Sequence, residues 1–260
     1  MSLLDCLGAA LNAINVNKVR AFLTTLGVII GVMSVILLIA LGEAAQNYVE
    51  REFEVMGSNV LVVTPGKQET VGMVPVTAGS RYNLTHEIAK AIKRRGAGVA
   101  GVAANAVGTG RVAYRERARN VLCIGTTQDF ESVRQLYVQI GRFIDAQDVL
   151  KNNKVCVLGS TLRRELFGAE RALNKWVNVN GAKHRVIGIL EERGQAFGID
   201  LGDLVIVPLP SAQQMFYGGE DRLWEILVSA RSVEDIDRAT DFVRRNVSEG
   251  FNGEDDFTIN

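Results

Sequence analysis

The sequence predicts an α+β fold. One N-terminal transmembrane helix, extended as a stalk, leads into an extracytoplasmic domain of two βαβ-type halves with a small α+β subdomain inserted between them. Three observations carry this expectation. Residues 21–42 contain no charged side chain. Beyond them, short β-branched runs alternate with amphipathic helical segments, the pattern of a sheet packed by helices. The Asn180-Gly181 pair lies between two alternating runs and marks a type I′ hairpin in the middle of the chain.

The uncharged run, AFLTTLGVIIGVMSVILLIAL followed by Gly42, is about 33 Å long as an α-helix and matches one hydrocarbon core. Its Phe, Leu, Ile and Val residues favour insertion by about 4–8 kcal/mol, less a contribution from the Gly, Ser and Thr positions. A buried helix of a soluble protein does not stay apolar on every face for this length. A cleaved signal peptide has a shorter apolar core that starts earlier, although Ala40-Leu41-Gly42 fits a small-residue cleavage site. Lys18 and Arg20 precede the run, and Glu43, Glu50, Glu52 and Glu54, against Arg51, follow it. The positive-inside rule places the N-terminus in the cytoplasm.

The elements follow in order. Apolar spacing over residues 3–19 predicts an interfacial amphipathic helix. Apolar residues at 41, 45, 48, 53 and 56 carry the membrane helix on to Met56, where Gly57 ends it. Residues 59–63 read as a buried strand closed by Pro65-Gly66, and 66–83 as loop. Thr85 is the expected N-cap of a helix running to Arg95, with Gly96 beyond its end. Residues 99–107 read as one strand, and 111–114 with 120–125 as a hairpin tipped by RERAR. A short helix over 145–150, a strand over 155–158 and a helix capped by Ser160 come next. The hairpin 176–179/184–190 is followed by a Gly-rich loop over 191–202, in which Arg193, Gln195, Phe197 and Asp200 are candidate partner contacts. A strand over 205–208, a helix from Ser211 to about Tyr217, a strand over 224–229, a helix over 233–247 and a strand at 257–259 complete the chain.

Composition excludes several functions. Lys and Arg total 29, as do Asp and Glu, so no basic face invites nucleic acid. Three cysteines, Cys6, Cys123 and Cys156, form no disulfide framework. Cys123 and Cys156 lie in apolar strand-like runs and read as small buried hydrophobes, with a disulfide between them as the alternative. The run at 96–101 spells GxGxxG, but it follows a helix and opens a strand, the reverse of a dinucleotide site. No GxxxxGK[ST] and no GxSxG occur. His86 and His184 have no second ligand at metal spacing and read as surface or structural residues. No catalytic, metal-ligating or cofactor-binding set emerges. Gly27 and Gly31 stand four apart in the span, a spacing that lets another helix approach closely in lipid.

The run VRAFLTTLGVIIGVMSVILLIALGEAAQ (19–46), followed by GSNVLVV and Pro65-Gly66, resembles the start of MacB/FtsX-type ABC transporter permeases. Gly141-Arg142-Phe143, VCVLGS (155–160), ELFG (165–168), the NVNG…RVIGIL hairpin (178–190), DLVIVPL (203–209) and DDFTIN (255–260) resemble, in order and spacing, that family's MacB-like periplasmic core domain. The resemblance implies a cytoplasmic interfacial helix at 1–19 and a transmembrane and stalk helix at 20–57. Porter-like halves at 58–127 and 221–260 then flank an inserted periplasmic subdomain at 128–220. It implies a non-enzymatic transport component in the bacterial inner membrane, without cofactor. Its partners would be a cytoplasmic ABC ATPase subunit, a second permease copy and a periplasmic adaptor. Members export antibiotics or peptides, or release lipoproteins, by mechanotransmission. The chain stops where a second membrane helix is expected, which suggests a fragment of a longer permease. A single-span membrane-anchored periplasmic binding or sensor module is the alternative.

Overall fold

The computed structural model describes residues 17–56, 59–66, 68–69, 76–77, 82–96, 98–192, 195–196, 199–200, 202–251, 253–254 and 256–260. Two compact units divide the chain, Met1–Phe53 and Glu54–Asn260. Helix α1 (Lys18–Met56) is continuous over 39 residues, as the apolar spacing predicts. The interfacial helix expected over 1–19 lies outside the described residues as far as residue 16.

The second unit begins with β1 (Val60–Pro65), and the segment expected as loop contains a short ladder of β2 (Gln68–Glu69) and β3 (Val76–Thr77). Helix α2 (His86–Arg95) starts as expected, with the Thr85 hydroxyl accepting from Ile88 N at 3.4 Å, and it ends at a left-handed Gly96. One correction concerns the next element. The strands expected at 99–107 and 111–114 are a single 16-residue strand, β4 (Val99–Tyr114), which turns through Arg115-Glu116 into β5 (Arg117–Thr126). Gly108-Thr109-Gly110 reads as a break in sequence, but continuous pairing of β4 with β5 from Ala106 to Tyr114 keeps it extended.

The middle of the chain supplies α3 (Phe130–Val133), β6 (Val138–Gly141), α4 (Ala146–Leu150), β7 (Val155–Leu158) and α5 (Ser160–Phe167). The N-cap of α5 is Gly159, not Ser160. Its first turn is tied by backbone bonds to the start of β12 and the residue two before it, with Gly159 N donating to Leu204 O and Leu162 N to Gly202 O, so no hydroxyl cap is required. Next come β8 (Trp176–Val179) and β9 (Ala182–Leu190), joined by Asn180 and Gly181 with φ of 50° and 92°, the type I′ turn expected. The 191–202 segment holds a two-stranded ladder, β10 (Gln195–Ala196) with β11 (Ile199–Asp200). Strand β12 (Leu204–Pro208), helix α6 (Leu209–Tyr217), β13 (Glu225–Ala230), a 3₁₀ turn at Val233–Asp235, α7 (Ile236–Gly250) and β14 (Phe257–Ile259) close the chain.

Sheet order is β14-β1-β13-β4-β5-β12-β7-β9-β6, with β8 bridging β4 and β9. Its first four strands, all antiparallel, are two interleaved β-α-β units, the ferredoxin-like arrangement. The link between their second and third strands carries everything from β5 to α6. There β4, β5, β12, β7, β9 and β8 form a closed ring, which leaves few free edges. Apolar clusters cover both faces of this sheet. On one face α2, α5, α6 and α7 pack on residues such as Val102, Val112 and Val228. On the other, Phe130, Val133 and Phe143 pack on Ala103, Ile206 and Leu227.

Helix α6 lies directly on the hairpin, at two glycines. A Cβ on Gly125 would stand 2.0 Å from the Ala212 Cβ, and one on Gly108 2.7 Å from the Phe216 ring. Gly125→Ala is expected to overpack this contact and destabilise the domain by about 2–3 kcal/mol. Gly110→Ala, whose Cβ would meet only ordinary contacts at 3.5 Å or more, is expected to stay within about 1 kcal/mol of the parent. Denaturant unfolding of the whole chain in detergent distinguishes the two; equal stabilities would refute the packing argument.

Candidate functional site

Helix α1 presents large apolar side chains outward along its span, Leu38 being 72% exposed. The hydroxyls within residues 21–42 are satisfied within the helix. Thr24 Oγ1 donates to Arg20 O at 2.9 Å, Thr25 Oγ1 to Ala21 O at 2.8 Å and Ser34 Oγ to Ile30 O at 2.7 Å. That leaves no unpaired side-chain donor to carry into lipid. Residues 18–44 are long and apolar enough to cross a membrane. Gly27 and Gly31 lie on this surface, and a Cβ on either would meet nothing within 4 Å. Such a face can receive another helix.

The candidate contacts in 191–202 divide. Arg193 and Phe197 lie outside the described residues, whereas Gln195 and Asp200 are register partners in the β10–β11 ladder.

The titratable groups do structural work. Cys123 and Cys156 are free and buried, and desolvation raises both thiols, Cys123 to about 12. His184 is fully buried, not on the surface; its Nδ1 lies 3.0 Å from Ala182 O and its Nε2 has no partner. Burial, and secondarily the charge of Lys154, hold its pKa below 6.5. The backbone N of His86 donates to Asp221 Oδ1 at 3.0 Å, and burial lowers this imidazole's pKa as well. The landmark Arg142 clamps Asp148, whose side chain is 2% exposed. Arg142 Nη1 and Nη2 donate to the two carboxylate oxygens at 2.6 and 3.3 Å, and Asn153 Nδ2 donates at 2.8 Å. Burial raises the Asp148 pKa, but these bonds and the Asp145 N–H outweigh it and leave it lowered. Asp145 and Asp148 also form the capping box of α4.

The sequence did not reveal a polar knot where β4 changes partner. Asn105, fully buried, accepts from Thr126 Oγ1 at 2.6 Å and donates to Glu225 Oε1 at 2.9 Å, while its carbonyl accepts from Trp224 N at 2.7 Å. A lone Asn in the apolar run VAGVAANAVG was the available signal. A cavity of about 240 Å³ was also missed; it lies between α2, the start of β4 and α4. Among the described residues no cluster of His, Cys, Asp or Glu could hold a metal.

A membrane-length helix leading into a ferredoxin-like unit with a large insertion defines a membrane-anchored extracytoplasmic domain. Residues 21–245 match the model of the MacB-like periplasmic core domain, and the chain belongs to that family. It is 34% identical over 253 residues to the macrolide export ATP-binding/permease protein MacB of Chlorobium luteolum, covering 96% of this chain and 38% of that protein. The MacB of Bdellovibrio bacteriovorus is 31% identical over 225 residues, covering 86% of this chain and 34% of that protein. The chain thus spans little more than a third of these curated relatives. In fold it is similar to the periplasmic region of MacB from Actinobacillus actinomycetemcomitans, with a TM-score of 0.66 at 20% identity over 80% of this chain and 91% of that one. The extracellular domain of the noncanonic ABC-type transporter YknZ from Gram-positive bacteria gives 0.63 at 21% identity, over 78% and 100%.

Two outcomes follow from these groups. Arg142→Ala leaves a buried carboxylate short of its bidentate partner and should cost about 2–3 kcal/mol. Asp148→Asn added to it should recover part of that loss in denaturant unfolding; no recovery would show that the charge is not the cause. His184 and His86 both bind protons more weakly folded than unfolded, so stability is full above about pH 6.5 and falls as pH drops below it. His184→Gln should reduce this slope above about pH 4.5, where His86 supplies the rest, while the Asp148 pair adds its own loss only at lower pH; an unchanged slope in that window would refute it.

Proposed function

We propose that this chain is the first membrane helix and periplasmic core of an ABC-type export permease that moves antibiotics, peptides or lipoproteins by mechanotransmission. The observation that carries this is the family match from residue 21 to 245, which takes in the membrane helix together with the domain it leads into. In this reading the helix sits in the bacterial inner membrane with its N-terminus cytoplasmic. Residues 58–127 and 221–260 are porter-like halves, and 128–220 is the inserted subdomain. ATP hydrolysis belongs to a cytoplasmic ABC ATPase subunit, so this chain is a transport component and not itself an enzyme. A second permease copy packs against the Gly27/Gly31 face. The 191–202 segment, with Arg193, Gln195, Phe197 and Asp200, contacts a periplasmic adaptor.

The relatives' names support the export role, since they are macrolide export proteins with both ATP-binding and permease functions. The lipid-facing glycines, free of neighbours in the single chain, support the packing role.

The test is co-purification of the full-length gene product from detergent-solubilised membranes. The parent should recover an ABC ATPase and a second copy. Gly27→Leu or Gly31→Leu should lower that recovery about fivefold, roughly 1 kcal/mol, and leave proteolytic resistance of the outer domain unchanged. Full recovery with both leucine variants would end the packing role. A parent that recovers no ATPase would overturn the transport reading in favour of a single-span binding or sensor module.

A further inference from the structure

We infer that the cavity between α2, β4 and α4 is a binding site for a small carboxylate that carries a short apolar tail. Helical spacing puts His86, Ala89, Lys90 and Lys93 on one stripe of α2. Strand alternation puts Val102 and Ala104 on one face of β4. These surfaces, with α4 of the inserted segment, border a cavity of about 240 Å³. Ala89, Ala104 and Ala146 stand one on each of the three elements, and side chains this short leave the gap between them unfilled. Pockets for drug-sized ligands begin at about 300 Å³, so the occupant is smaller than those.

The lining divides by polarity. Ala89, Val102 and Ala104 are buried and form an apolar floor, and Leu150 at the rim is 79% exposed. A short hydrocarbon tail placed here leaves water at about 25 cal/mol for each Å² it buries. Charge selects the other end of the ligand. The ammonium groups of Lys90 and Lys93 line the cavity against the one carboxylate of Asp129, which leaves a positive charge in excess. Lys93 is held by Asp129. Lys90 pairs with Glu87, which does not line the cavity, and both of these side chains are more than half exposed. A pair of that kind is worth about 1 kcal/mol at most, so Lys90 can turn from Glu87 to a carboxylate in the cavity. His86 is neutral at pH 7, since burial lowers its pKa, and it does not add to the charge. Its Nδ1 is buried without a hydrogen-bond partner. Few buried polar atoms stay unpaired, so this wall of the cavity holds a polar group that the chain does not meet. The cavity lies wholly within the outer domain, so this inference does not rest on the transport reading.

The probe is hexanoate, titrated at low salt into the whole chain in lipid nanodiscs, with empty nanodiscs as the blank. Calorimetry reads the affinity, and mass spectrometry after brief acetylation reads the reactivity of each lysine. Hexanoate should bind saturably, about tenfold or more tightly than hexylamine, and should slow acetylation of Lys90. A chain carrying both Lys90→Gln and Lys93→Gln should bind hexanoate about tenfold more weakly. Ala146→Trp, at an exposed position lining the cavity, should fill the space without altering a charge and abolish binding. All three positions are exposed, so the variants leave the core intact. No saturable binding of hexanoate, equal affinity for hexylamine, or parental affinity in the Ala146→Trp chain would overturn the inference.

Discussion

The outer domain depends on one strand serving two partners. From Val99 to Asn105, β4 bonds β13; from Ala106 to Tyr114 it bonds β5 on its other edge. The ferredoxin-like unit and the closed ring are therefore not linked by a flexible connection but share a backbone. The switch falls at Asn105, a fully buried polar residue whose side chain holds Thr126 on the departing strand and Glu225 on the retained one. A buried amide costs several kcal/mol unless it is satisfied, and here both ends of the amide are. Because a one-residue slip of β4 would turn Val102, Ala104 and Val112 from one apolar cluster to the other face, a polar pin at the switch also protects the register of both sheets.

Helix α6 reinforces the same point from above. It packs on Gly108 of β4 and Gly125 of β5, close to the switch. Gln213 of this helix donates to Asp221 Oδ1 at 3.1 Å, and Asp221 in turn accepts from the first backbone N–H of α2. An element of the insertion thus helps to hold the start of a helix in the ferredoxin-like unit. A carboxylate at that position also meets the positive end of the α2 dipole.

Local chemistry was legible and long-range pairing was not. The apolar span, the Thr85 cap and the Asn180-Gly181 turn each depend on a few neighbouring residues, and each formed where the sequence places it. Gly108-Thr109-Gly110 read as a break because glycine weakens an isolated strand. What keeps it extended is β5 beside it and α6 above it, and neither is visible in that window. The Ser160 cap failed for a similar reason, since backbone groups from 202–204 meet the start of α5 instead. Closure of the ring through β8 joins Val112 to Val179, a pairing that no local pattern announces. The four-residue spacing of Gly27 and Gly31 is a property of the sequence itself, and the structure adds only that both lie on the exposed surface of α1. The Asn105 knot and the cavity exist only after β4, β13 and α2 have assembled.

The direction of β4 decides how the two parts of the sheet are joined. Strand β1 runs antiparallel to both β13 and β14, and β4 antiparallel to β13, so β4 runs with β1. Val60 opens β1 at the end where Asn260 closes the ladder with β14. The chain thus enters and leaves the ferredoxin-like unit at one end, and β4 departs from that end toward the ring. At about 3.3 Å per residue, its 16 residues span roughly 50 Å. A strand braced by β13 over its first part and by β5 over its second bends less readily than a hinge of loop residues. The two parts of the sheet are therefore joined through a strand paired along its whole length, with the buried Asn105 at the point where its partner changes.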